Sequence, residues 1–214
     1  MAEIPPILKL RKQAQKDVAS AQDKIVEEIF KVFGKTAVLH GGTCIWRCYK
    51  GNRFSEDVDV YIPKDLDKLN LIFENLKKLG FIIEKKKIGK NILHSSLKLS
   101  RTIVRFEAFF KEIKGELKEY EKIDGNVITI YTLIPEELIL EKINAYQNRR
   151  KIRDLYDIFF LLRHIKNKSE VSNELRKFIK DFKNPLDEKD INGLIIEGIV
   201  PDAEGMLNYI EREI

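Results

Sequence analysis

The chain has 214 residues, of which 43% are hydrophobic and 34% charged; this balance excludes a disordered chain, and 11 Gly with 6 Pro exclude a fibrous one. Its longest apolar blocks, such as residues 158–162, fall far short of the ~20 residues that span a bilayer. Residues 1–6 carry no signal-peptide pattern, so a cytoplasmic protein without a membrane partner is expected. The net charge of +5 is unevenly spread: residues 1–133 hold 25 Lys and Arg against 18 Asp and Glu, residues 134–183 hold 12 against 8, and residues 184–214 hold 2 against 8. A basic body favours a polyanionic partner such as RNA or a nucleotide, whereas the acidic end reads as a solvated helical face. Cys44 and Cys48 stand four apart with no further cysteine to close a zinc site, and are expected as buried free thiols.

In chain order, the apolar spacing predicts a helix from Ile7 to Phe33 closed by Gly34, then a short buried strand over residues 36–40. Gly41-Gly42-Thr43 reads as a turn, with Thr43 capping a helix that runs to about Gly51. A strand over residues 58–62 ends at Pro63, and a helix over 65–79 ends at Gly80. Residues 81–87, 92–99 and 102–110 form three strands of an antiparallel meander, and 127–131 a further strand. From Pro135 onward the pattern is helical, over 135–148, 154–166, 171–183, 187–197 and 202–212. The expected organisation is therefore α/β (α+β): a mixed sheet flanked by helices over residues 1–133, then a helical domain over 134–214.

The chemistry is concentrated in Gly41-Gly42-Thr43 and, after thirteen intervening residues, Asp57-Val58-Asp59-Val60. Carboxylates at i and i+2 on a strand face the same way and repel, an arrangement made favourable by a hard cation such as Mg²⁺ between them. A Gly-Gly turn ahead of a helix lets backbone N–H groups approach a phosphate closely. Glu107, in the strand Arg105-Phe106-Glu107-Ala108-Phe109, shares a face with Arg105 and completes an acidic triad. His40, His94 and His164 have no metal-binding or nucleophile-pair spacing and read as structural, as do Trp46 and Tyr156. Arg149-Arg150-Lys151-Ile152-Arg153 places four cations ahead of Asp154, with Asp157 on the same helix face. Taken alone, that block is a solvated turn in which Arg150–Asp154 and Arg153–Asp157 pair at i,i+4.

Together these blocks resemble the nucleotidyltransferase superfamily of DNA polymerase β type. Gly41-Gly42-Thr43, Arg47, Arg53-Phe54-Ser55-Glu56-Asp57-Val58-Asp59, Lys142 and Arg149-Arg150-Lys151-Ile152-Arg153-Asp154 followed by Asp157 look like its AbiEii branch, toxins of type IV toxin–antitoxin and abortive-infection systems. Two positions depart from the pattern: Arg105 stands where many relatives have a lysine, and Thr43 replaces a commoner serine. The resemblance implies a toxin that transfers a nucleoside monophosphate from an NTP to an acceptor, RNA and in particular a tRNA 3′ end, with a cognate antitoxin as partner. Two Mg²⁺ ions ~3.5–4 Å apart would be held by Asp57, Asp59 and Glu107, with Glu107 also polarising the acceptor hydroxyl. Gly41, Gly42, Thr43 and Arg47 would bind the triphosphate, joined by Ser55, Arg149, Lys151, Arg153, Asp154 and Asp157 at the nucleotide. Lys142 would neutralise charge developing on the phosphates, with Asp154 and Asp157 orienting it or the arginines. The residues leave two other readings open: transfer to a protein or small molecule, and a non-catalytic nucleic-acid or partner-binding relative.

Overall fold

A computed structural model describes residues 5–214; residues 1–4, read above for a targeting signal, lie outside the described part. The chain divides into two compact units, one of Met1–Lys50 with Phe54–Leu133 and one of Gly51–Arg53 with Ile134–Ile214.

The first unit is built on a seven-stranded mixed sheet in the order β3-β4-β5-β2-β1-β7-β6. Its strands are β1 Val38–His40, β2 Asp57–Ile62, β3 Ile82–Ile88, β4 Ile92–Leu99, β5 Thr102–Phe110, β6 Glu116–Glu121 and β7 Val127–Thr132. The expected meander is present, β3, β4 and β5 pairing antiparallel. β5 then joins β2 in parallel, and β1 runs antiparallel to β2 but parallel to β7. Along β2, Val58, Val60 and Ile62 are buried while Asp57, Asp59 and Tyr61 are half-buried, the alternation of a strand whose two faces differ. Four helices accompany the sheet: α1 Pro6–Lys9, α2 Gln13–Phe33, α3 Gly41–Cys48 and α4 Leu66–Lys78. α2 packs on α4, β2 and β5, and α3 on β1, β2 and β6. Ile25, Ile29, Val58, Val60, Ile72, Leu76 and Phe106 are fully buried in the resulting core.

Three expectations for this unit are corrected. The single helix over 7–33 is broken at Leu10, which turns extended and buries its side chain. α3 begins at Gly41 rather than Thr43, because Gly41 with φ +72° lets the chain turn straight out of β1 into helix, and Thr43 is no cap. The strand β6 was not anticipated: Glu-Leu-Lys-Glu-Tyr-Glu is rich in residues depleted from strands, and pairing with β7 from Glu116↔Thr132 to Glu121↔Val127 overrides that preference.

The second unit holds α5 Pro135–Arg149, α6 Ile152–Leu161, α7 Ser169–Lys180, α8 Ile191–Leu194 and α9 Ala203–Glu213. α5 starts at a proline, whose fixed φ suits the first helical position, and α9 is capped by Asp202, which accepts from Gly205 N at 2.7 Å. The expected helix over 187–197 is reduced to a 3₁₀ turn and the four residues of α8. Beyond it the backbone pairs with the Gly51–Arg53 segment, Ile195 bridging Arg53 and Ile196 N donating to Asn52 O at 2.7 Å. No helix among the described residues is long and apolar enough to cross a membrane.

Candidate active site

The pairing registers of the sheet line up one row of ionisable side chains across four strands. His40 on β1 is level with Asp59 on β2, Asp59 with Glu107 on β5, and Glu107 with His94 on β4. One step toward the start of β2, Asp57 is level with Arg105. Side chains level on neighbouring strands share a face, so this row lies on the face opposite buried Val58, Val60 and Phe106. A third level on that face is aromatic: Tyr61 stacks on His40 at 4.1 Å, and Phe109 meets the same ring edge-on at 5.5 Å.

Arg105 spans both oxygens of Asp57, Nε donating to Oδ1 at 2.7 Å and Nη2 to Oδ2 at 2.8 Å. That hydrogen bonding, together with the charge of Asp57, raises the guanidinium above its ordinary value. Glu107 Oε1 lies 3.1 Å from His94 Nδ1. Among the described residues, no three His, Cys, Asp or Glu side chains converge as they stand to hold a metal ion. The donor chemistry nevertheless fits a hard divalent cation, since Asp57 and Asp59 share a strand face and Glu107 is level with Asp59.

The Gly41 backbone packs against this row. A β-carbon at Gly41 would collide with the Asp59 carboxylate and displace it, and the positive φ there favours glycine in any case. Thr43 is fully buried, and its hydroxyl donates to Asp57 O, the carbonyl at the start of β2. Gln22 of α2 holds the same spot, its Nε2 bonding Ser55 O at 3.0 Å and Asp57 O at 3.2 Å. Thr43 thus anchors the strand carrying the carboxylates, where direct phosphate contact was expected. Gly42, next to it on α3, and Ser55, which precedes β2, are buried as well.

Arg47 requires the firmest correction. Its place on α3 was expected to turn it toward the triphosphate, but its side chain is fully buried in an ion pair with Asp23 of α2. It lies over the Trp46 ring at 4.3 Å and the Tyr120 ring at 5.3 Å. Asp23 also accepts from Tyr120 Oη at 2.9 Å and Ile123 N at 2.7 Å. Burial raises the Asp23 carboxyl, and the Arg47 charge and these hydrogen bonds offset only part of that rise. The cluster ties α2, α3 and β6 together.

In the helical unit, Lys142, Arg149 and Arg53 surround the two aspartates in a network of ion pairs. Lys142 of α5 is buried with Nζ 2.7 Å from Asp157 and 3.8 Å from Asp154. Arg149 donates to both oxygens of Asp154 at 2.7 and 2.8 Å, and Arg53 to both oxygens of Asp157 at 2.8 Å. The i,i+4 pairs of a solvated turn do not form: Arg150, in left-handed backbone at φ 50°, places its Nε 2.9 Å from Asn184 O, and Lys151 pairs with Asp187 at 3.3 Å. Arg153, the last cation of the block, lies half-buried on the first turn of α6. Burial pushes Asp157 upward, but Arg53 and Lys142 more than offset it and hold the carboxyl below its ordinary value. The sequence reading missed Arg53 in this role, and missed His40 and His94, because only register and tertiary pairing bring them to the acidic groups.

Two solved structures are similar over nearly the whole chain. JHP933 from Helicobacter pylori is 21% identical, with 95% of this chain and 91% of that one covered at a TM-score of 0.65. MenT4, a nucleotidyltransferase toxin from Mycobacterium tuberculosis, is 16% identical, with 99% and 88% covered at 0.67. At such identities the likeness is one of fold, and it places the chain among proteins with a nucleotidyltransferase-like architecture. No curated protein matches the chain in sequence. Residues 25–206 match the model of the nucleotidyl transferase AbiEii toxins of type IV toxin–antitoxin systems, and the chain belongs to that family.

Proposed function

We propose that the protein transfers a nucleoside monophosphate from an NTP to the 3′ end of an RNA, a tRNA being the preferred acceptor, and that a cognate antitoxin restrains it. The observation that carries this reading is the level row of Asp59 and Glu107 with Asp57 one step away, packed against the Gly41 backbone at the start of α3. Asp57, Asp59 and Glu107 would hold divalent Mg²⁺, which when bound supplies positive charge to the oxygens that gain charge during the displacement. The acceptor oxygen bonds to the α-phosphorus, the bond to the bridging oxygen breaks and pyrophosphate leaves. Glu107, steadied by His94, takes the acceptor hydroxyl's proton. The N-terminal turn of α3, at Gly41 and Gly42, offers N–H groups to the triphosphate. In the helical unit Lys142 is oriented by Asp157 and Asp154. An RNA acceptor is favoured by the surplus of cations over residues 1–183.

The test is incubation of the protein with each labelled NTP, Mg²⁺ and total cellular RNA. Labelled RNA is expected with at least one NTP, and Asp59→Asn is expected to lower transfer at least about a hundredfold while the fold is retained. Activity within about tenfold of wild type in that variant overturns the carboxylate assignment. Label on protein or a small molecule, with none on RNA, replaces the acceptor and keeps the chemistry.

A further inference from the structure

Asp57 and Asp59 face the same way, and two carboxylates in that arrangement repel unless positive charge lies between or beside them. In this structure the charge beside Asp57 is a guanidinium: Arg105 takes both of its oxygens, at 2.7 and 2.8 Å. Those are the donor atoms a hard cation would use. The pairing is built into the parallel register of β2 and β5, which sets Arg105 level with Asp57 as it sets Glu107 level with Asp59. It is also open to water on one side, the Arg105 side chain being 57% exposed and that of Asp57 23%. An ion pair of this kind is held weakly enough to exchange, since solvent screens it and hydrates the released partners.

We propose that Arg105 is a positioning residue that holds Asp57 in the metal-free protein and must release it for a divalent cation to bind. The inference rests on the nucleotidyltransfer reading, because it assumes that Asp57 is a metal ligand. Its consequence is competition: the arginine keeps Asp57 neutralised and ordered when no cation is present, and lowers the affinity for the cation alone.

The test uses the whole protein without nucleotide. The Arg105 Nε–H signal in a ¹⁵N correlation spectrum is identified by its loss in Arg105→Gln, and Asp57→Asn shows where the signal moves when the pair is broken. Saturating Mg²⁺ is expected to move the wild-type signal to the same place. In parallel, Mn²⁺ affinity measured by electron paramagnetic resonance is expected to be about three- to tenfold tighter in Arg105→Gln than in wild type, tenfold corresponding to ~1.4 kcal/mol. Arg105→Lys keeps the charge but loses the two-pronged contact, and is expected to recover part of that gain. Mg²⁺ binding that leaves the Arg105 signal in place, equal Mn²⁺ affinity in wild type and Arg105→Gln, or no gain at all in Arg105→Lys overturns the proposal and leaves the carboxylates as ligands. Absence of any divalent binding, with or without an NTP analogue, overturns the metal reading itself and the proposal with it.

Discussion

The Asp57–Arg105 pair of the sheet and the Asp157–Arg53 pair of the helical unit have the same chemistry, a guanidinium across both oxygens of an aspartate, yet they sit in opposite environments. Side-chain exposure is 57% for Arg105 and 23% for Asp57 in the first pair and 6% for Arg53 and 1% for Asp157 in the second, where Lys142 adds a further cation at 2.7 Å. Burial makes each charge of the second pair expensive on its own, so its partners are bound to one another structurally. Water makes the first pair exchangeable. One contact type thus serves as a fixed joint in one unit and as a replaceable one in the other.

Breaking the buried joint should have the largest effect. Asp157→Ala leaves Arg53 and Lys142 without their carboxylate and is expected to cost about 3–5 kcal/mol in urea unfolding, with loss of the folded state on mild heating. A loss under about 1 kcal/mol would show the network to be dispensable. Arg47→Met, which keeps the bulk of the side chain, is expected to cost less, about 1–3 kcal/mol, because Asp23 retains Tyr120 and the Ile123 N–H and its raised carboxyl can take up a proton. In that variant the rise in melting temperature caused by NTP with Mg²⁺ should persist. Its disappearance from a folded protein would return Arg47 to the nucleotide site.

Acid sharpens the same contrast. The Asp157 carboxyl lies below its unfolded-state value, so the stability it supplies is present above the ordinary carboxylate range of about 4 and is lost as pH falls through the folded value. Asp23 has the opposite sign: its carboxyl is raised, and the stability linked to its protonated form is lost as pH rises through the folded value. Urea unfolding between pH 2 and 5 should therefore show a shallower fall in stability for Asp157→Asn than for wild type, and equal slopes would exclude Asp157 as a source of the acid sensitivity. The smallest effect is expected at the open pair, where Arg105→Gln should change stability by no more than about 1 kcal/mol, measured by the same unfolding. A larger cost would mean that the pair is structural after all.

Most of the sheet unit was legible because its signals are local: period-two alternation in β2, β4 and β5, and glycines at the ends of helices. The shared face of Asp57, Asp59 and Glu107 was legible for the same reason, since Asp57 and Asp59 are two apart and Glu107 lies in a strand with a clear buried face. What could not be read was the pairing partner of each charge. Arg47 and Asp23 are 24 residues apart, and Arg53 and Asp157 are 104 apart. Helical spacing places Arg47 near Thr43 but does not say that the side of α3 on which it lies is enclosed by α2 and β6. β6 itself was missed because its glutamates and lysine argue against a strand until β7 is alongside.

The parallel pairing of β2 with β5 also governs when the site can come into being. Asp57 and Asp59 precede Arg105 and Glu107 by 48 positions, with a helix and two strands between them. A chain growing on the ribosome therefore makes two of its three carboxylates long before the strand that brings the third, and β5 must then settle against β2 in a single register. A slip of one residue would turn Glu107 to the buried face and present Phe106 or Ala108 instead. Incomplete or misregistered chains therefore carry the acidic residues without an assembled row.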